Sequence, residues 1–175
     1  MSATAAPFGV RAVYHPSGTI RTRTLTGFTS IPSAAVYKGD LVKLTGDGAV
    51  ASIITANDAS FGIFDGCRYN DATGKPTYSP YWPASLSGVT NIEWYVIPFD
   101  PLLEIEIQSG GSVAVTAIGD SADVVIAAGS ANTGVSGTYL NTTLKGAAAV
   151  GNIRILGLAP YSDTAWGDSY TIIRG

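Results

Sequence analysis

The chain has 175 residues, 46% of them hydrophobic, which is enough for one domain with a real core. Charged residues make up only 13%, about half of the ~25% usual in globular chains. That composition excludes a solvated, disordered polyelectrolyte and leaves much neutral surface that a partner could cover. The net charge of −3 is unevenly placed. Residues 1–39 hold Arg11, Arg21, Arg23 and Lys38 with no acid, +4 in all; residues 40–175 hold 6 bases and 13 acids, −7.

Residues 1–32 form the first unit. Their large apolar groups (Phe8, Val10, Val13, Tyr14, Ile20, Leu25, Phe28, Ile31) are scattered, and Pro7, Pro16 and Pro32 interrupt them, so no helical period survives. Thr19, Thr22, Thr24, Thr26 and Thr29 favour extended chain. The expectation is an extended N-terminal arm with a strand-like piece at about 19–26, packed on its own body or on a neighbour. Phe8, Arg11, Tyr14, Arg21 and Arg23 are its candidate partner-binding residues, because guanidinium forks suit carboxylates on another protein. Three arginines on an acidic protein are too few for nucleic acid.

Residues 33–175 read as a β-rich body. Thr, Val, Ile and aromatic residues suit strands, and 21 Gly and 9 Pro suit the turns between them. In order, strands are expected within 35–44 on either side of Gly39, at 49–54, at 61–69 with a bulge at Gly62 or Gly66, at 92–98 and at 102–108. Gly46-Asp47-Gly48, Asn57-Asp58 and 70–76 are the turns between them. Leu103, Ile105 and Ile107 alternate with Glu104, Glu106 and Gln108, which predicts an apolar face and a solvated one. Residues 112–128 are expected to hold a strand pair or one helical turn near 118–123. Residues 129–137 are loop, 138–144 a weak element, and 152–158 and 170–173 closing strands.

The residues offer little catalytic chemistry. His15 is the one histidine and Cys67 the one cysteine, so neither a metal set nor a Ser-His-Asp triad is complete; no metal, cofactor or catalytic residue is expected. Cys67, within the apolar run 61–69, reads as a small buried hydrophobe. Glu104 and Glu106, about 7 Å apart on one strand face, are the pair a glycoside hydrolase would need, but they read more simply as the wet side of the strand. No run approaches the ~18–20 apolar residues of a membrane span. Residues 1–8 lack the basic and apolar regions of a signal peptide, so a soluble protein made in the cytoplasm is expected.

Three segments together resemble the head decoration (cement) proteins of tailed bacteriophages. They are Tyr37-Lys-Gly-Asp-Leu-Val-Lys-Leu44 with Asp47-Gly48 and Phe61-Gly-Ile-Phe-Asp-Gly66, then Ile153-Arg-Ile-Leu-Gly-Leu-Ala-Pro160 with Trp166-Gly-Asp-Ser-Tyr-Thr-Ile172, and the entry segment Pro7–Gly18. The resemblance implies a mainly β fold, a small β-barrel or β-sandwich-like body with an extended N-terminal arm. It also implies a non-enzymatic virion protein on the capsid exterior, made in the host cytoplasm. Its partners would be the major capsid protein and itself, as a homotrimer, with no nucleic acid, membrane or cofactor. By pattern the chain stops mid-strand at Ile172–Gly175, which raises the expectation of a C-terminal strand either completed by another subunit or lost. The alternatives are another virion part (tail or fibre), or a carbohydrate-binding β-sandwich, the latter suggested by Tyr78, Tyr81, Trp82, Trp94 and Trp166.

Overall fold

A computed structural model describes residues 4–28, 31–44, 50–52 and 60–175, with backbone alone at 50–52. The turns expected at 46–48 and 57–58 lie outside the described residues. The fold is mainly β, with curled antiparallel sheets forming a half-barrel. No helix among the described residues is long and apolar enough to cross a membrane.

The strands are β1 (Arg11–Tyr14), β2 (Arg23–Leu25), β3 (Leu41–Leu44), β4 (Val50–Ser52), β5 (Gly62–Asn70), β6 (Pro76–Ser79), β7 (Thr90–Pro98) and β8 (Glu104–Gln108). They are followed by β9 (Ser121–Ala122), β10 (Val124–Val125), β11 (Tyr139–Leu140), β12 (Ile153–Arg154), β13 (Gly157–Leu158) and β14 (Ile172–Arg174). A six-stranded sheet runs β2-β7-β5-β3-β4, with β6 also on β5. A four-stranded sheet runs β1-β8-β14-β13, and β9–β12 and β10–β11 form two short ribbons. The helical turn falls at Val115–Ala117, just before the position expected for it. β14 lies between β8 and β13 of its own chain, so its pairing on both sides is met without another subunit.

Alternation along the strands builds two cores. Ile105 and Ile107 of β8 and Ile173 of β14 point from the four-stranded sheet toward Leu41 and Ile63 of the larger sheet, with Val10, Val124, Leu140 and Ile155 filling the space between. The opposite face of the larger sheet carries Val42, Phe64, Trp94 and Val96, packed with Val36, Cys67, Tyr69 and Trp82. In this second core Trp94 lies edge-on to Phe64 at 5.1 Å and tilted to Trp82 at 5.7 Å, and Trp82 Nε1 donates to the Pro32 carbonyl at 2.9 Å. Trp82 and Trp94 are core residues, so neither is a surface platform for sugar. Cys67 is buried as expected, and burial pushes its thiol up to about 12, far from a reactive thiolate.

Within the first 32 residues, β1 joins the small sheet beside β8 and β2 joins the large sheet beside β7. Val10 is buried, and its N–H donates to the Gly39 carbonyl at 2.8 Å. Gly39 sits at φ +92, and a Cβ there would come within 2.8 Å of the Phe8 carbonyl, so this crossing requires glycine. The bend is fixed from inside by Asp40, whose buried carboxylate accepts the Tyr37 N–H at 2.7 Å and the Ser136 and Thr138 hydroxyls. Burial raises the Asp40 pKa, and these three bonds offset part of the rise.

Gly62 offers a direct test of how closely β5 and β7 approach. A Cβ there would collide with the Ile97 carbonyl oxygen, whereas one on Gly146 would meet nothing within 4 Å. Gly62→Ala should therefore lower unfolding free energy by about 1–3 kcal/mol in denaturant titration, and Gly146→Ala should stay within about 0.5 kcal/mol of the parent.

Candidate interaction surface

The polar face of β8 is not solvated, contrary to the sequence expectation. Arg11 of β1 and Arg174 of β14 are both register partners of Glu106, so a row of +, −, + crosses three strands. Glu106 is 1% exposed; Oε2 accepts from Arg11 Nη2 at 2.6 Å and from the Tyr161 hydroxyl at 2.7 Å, and Oε1 accepts from Arg174 Nη2 at 3.2 Å. Gln108, also buried, accepts the Ala6 N–H at 2.8 Å and donates to the Thr4 carbonyl at 3.3 Å. The roof over this face is thus the stretch from Thr4 to Arg11 together with Tyr161. Period-2 alternation shows that Glu104, Glu106 and Gln108 leave the apolar core; it does not show what covers them. Glu104 lies on the rim, 3.7 Å from Arg174 Nη1.

Burial would push the Glu106 carboxyl up, but the bonds from Arg11, Tyr161 and Arg174 outweigh it and hold it below its ordinary 4.5. A depressed folded-state pKa stabilises the fold fully above the unfolded value, and that stability is lost as pH falls through the folded value. Glu106→Gln should cost about 1–3 kcal/mol, a range moderated because Arg11 is half in water. In urea unfolding across pH, the gap between parent and variant should stay constant above about pH 5 and shrink below 4.5. Taking the difference cancels Asp40, whose raised pKa acts in the opposite sense.

The five candidate residues of the N-terminal segment divide into two groups. Phe8 is half-buried beneath the Arg11 guanidinium, 4.9 Å from ring centre to Cζ, and Arg11 is held by Glu106 and Tyr161 of the same chain. Tyr14 is exposed at the end of β1, opposite Glu104. Arg21 and Arg23 are exposed and make no ion pair among the described residues. Part of the charge asymmetry is therefore met internally, by Arg11–Glu106 and by Lys38–Asp65 at 2.8 Å.

Arg21 lines a groove that follows from the topology. β1 pairs with β8 and β2 with β7, so the β1–β2 connection must run beside the β7–β8 connection. Between them lies a cavity of about 440 Å³, walled by Ile20, Ile97, Phe99 and Leu103 with His15 and Asp100 at its edge. The β7–β8 turn is held by the Asp100 carboxylate, which accepts the Leu102 N–H at 2.9 Å, and it leaves Leu102 60% exposed at its tip. Phe99, Asp100 and Leu103 also wall a second cavity, of about 630 Å³, whose far side is Ala148–Asn152 and Ile153. Val150 on that side is 87% exposed. The result is a surface from Ile20 across the turn to Val150 that mixes apolar side chains with Asp100, Asn152 and Arg154, with Arg21 at its margin.

Sequence reasoning did not single out Leu102, Phe99 or Val150. A signal for Val150 was present, since Gly146-Ala-Ala-Ala-Val-Gly151 is an apolar run bounded by glycines and too short for a core strand. Among the described residues there is no group of three or more His, Cys, Asp and Glu able to hold a metal ion. No family model, curated protein or solved structure matches the chain.

Proposed function

We propose that this chain is a structural virion protein, a decoration or cement protein that binds the outside of a tailed-phage capsid and bridges neighbouring major capsid proteins. The observation that carries the reading is the surface running from Ile20 over the exposed Leu102 to the exposed Val150, with Arg21, which makes no ion pair among the described residues, at its margin. Apolar side chains this exposed, with a cationic margin, suit a carboxylate-bearing protein surface. The mainly β fold supports the reading, as does the resemblance of residues 37–66 and 153–172 to cement proteins. Rigid sheets keep the docking face in shape, and repetition on a lattice lets modest single contacts hold firmly. Self-association as a homotrimer belongs to the same proposal and would multiply the contacts of each attachment.

Deleting the N-terminal segment is a poor test, because it removes one strand from the small sheet and one from the large sheet. Point substitutions on the face are cleaner. The parent protein, mixed with undecorated expanded shells of its own phage and sedimented, should saturate at a fixed ratio to the major capsid protein. Leu102→Asp with Val150→Asp should weaken attachment by at least tenfold, and Arg21→Ala with Arg23→Ala by less, with unfolding midpoints unchanged. Failure of the parent to co-sediment, or parent-like attachment by the Leu102/Val150 variant, would overturn the proposal.

A further inference from the structure

The face of the large sheet that carries Ile97 toward the first core continues past the cover of the small sheet and emerges into solvent. There it presents Tyr95 and Glu93 on β7, Arg68 on β5 and Tyr78 on β6. Register pairs Glu93 with Arg68 and Arg68 with Tyr78, so the three form one row across three strands. Arg68 Nη1 donates to Glu93 Oε1 at 2.9 Å, the Tyr95 hydroxyl donates to Glu93 Oε2 at 3.3 Å, and the Arg68 guanidinium lies 5.6 Å from the centre of the Tyr78 ring. Tyr78 is 70% exposed, which leaves its ring largely open.

Two irregularities bracket this row. β5 carries an extra residue between Phe64 and Gly66, and β7 carries one between Glu93 and Thr90. The second includes Asn91 at φ +51, one of only two non-glycine residues with positive φ among those described. Bulges re-aim side chains and gather near functional sites, and a left-handed asparagine inside a strand is the kind of outlier that points to a site. Beside the row, a cavity of about 480 Å³ is lined by Thr26, Thr90 and Asn91 as well as Arg68 and Glu93, within the ~300–1,000 Å³ span of small-ligand sites. Arg68 Nε and Asn70 Oδ1 are buried and have no hydrogen-bond partner among the described residues.

We propose that this row and its adjoining cavity bind a neutral oligosaccharide. Tyr78 offers a ring face to the C–H face of a pyranose. Glu93 has acceptor sites left after its bonds from Arg68 and Tyr95, and the Asn91 amide and the Thr26 and Thr90 hydroxyls both donate and accept, as vicinal sugar hydroxyls require. The class is neutral because Glu93 already cancels the Arg68 charge and the chain as a whole is acidic, at −3. This site is separate from the surface proposed for the capsid.

The test is an amide NMR titration of the full chain with cellotriose, maltotriose, mannotriose and chitotriose, each to millimolar concentration. At least one should give saturable shifts confined to residues around Arg68, Tyr78, Asn91 and Glu93. Tyr78→Ala should weaken that binding at least tenfold and Tyr78→Phe should keep it, both with the parental unfolding midpoint. No saturable shift with any of the four, shifts centred elsewhere, or full affinity in Tyr78→Ala would overturn the assignment.

Discussion

The stretch from Thr4 to Arg11 is the lid of the β8 sheet, and the rest of the structure depends on that arrangement. A carboxylate in the middle strand of a sheet, removed from water, is stable only if donors surround it. Glu106 has them because β1 and β14 flank β8 in a register that sets an arginine on each side, while Tyr161 closes from above. From β1 the chain crosses to the large sheet to make β2, and this crossing runs beside the β7–β8 turn. The groove between the two connections is a consequence of that clamp.

This arrangement also reassigns the basic N-terminal segment. A charge of +4 facing a body of −7 invites the picture of a free arm seeking an acidic partner. In the structure Arg11 and Lys38 are engaged by Glu106 and Asp65, and the attraction serves folding. Arg21 and Arg23, on the stretch that leaves the clamp, are exposed and make no ion pair among the described residues.

Most of the fold was legible in the chain, because period-2 alternation and glycine punctuation are local signals. The strands at 61–69, 92–98 and 102–108 and the bulge near Gly66 follow from them, as does burial of Cys67 within its apolar run. The fate of the polar face of β8 was hidden, since Glu106 meets partners 95 and 68 residues away in sequence and alternation carries no record of them. The site was legible only in part. Arg21 and Arg23 could be named from residue type, whereas the groove beside them arises from two connections that pairing brings together. Leu102 and Val150 gain meaning only from exposure, which no local pattern reports.

The proposed capsid contact is the surface from Ile20 over Leu102 to Val150. Amide hydrogen exchange, compared between the free chain and the chain bound to undecorated shells, tests it most directly. The account predicts new protection at residues 15–21, 99–103 and 148–152, with exchange around Tyr78 and Glu93 unchanged. Protection confined to the Tyr78 face, or unaltered exchange at 99–103 in the bound chain, would contradict it.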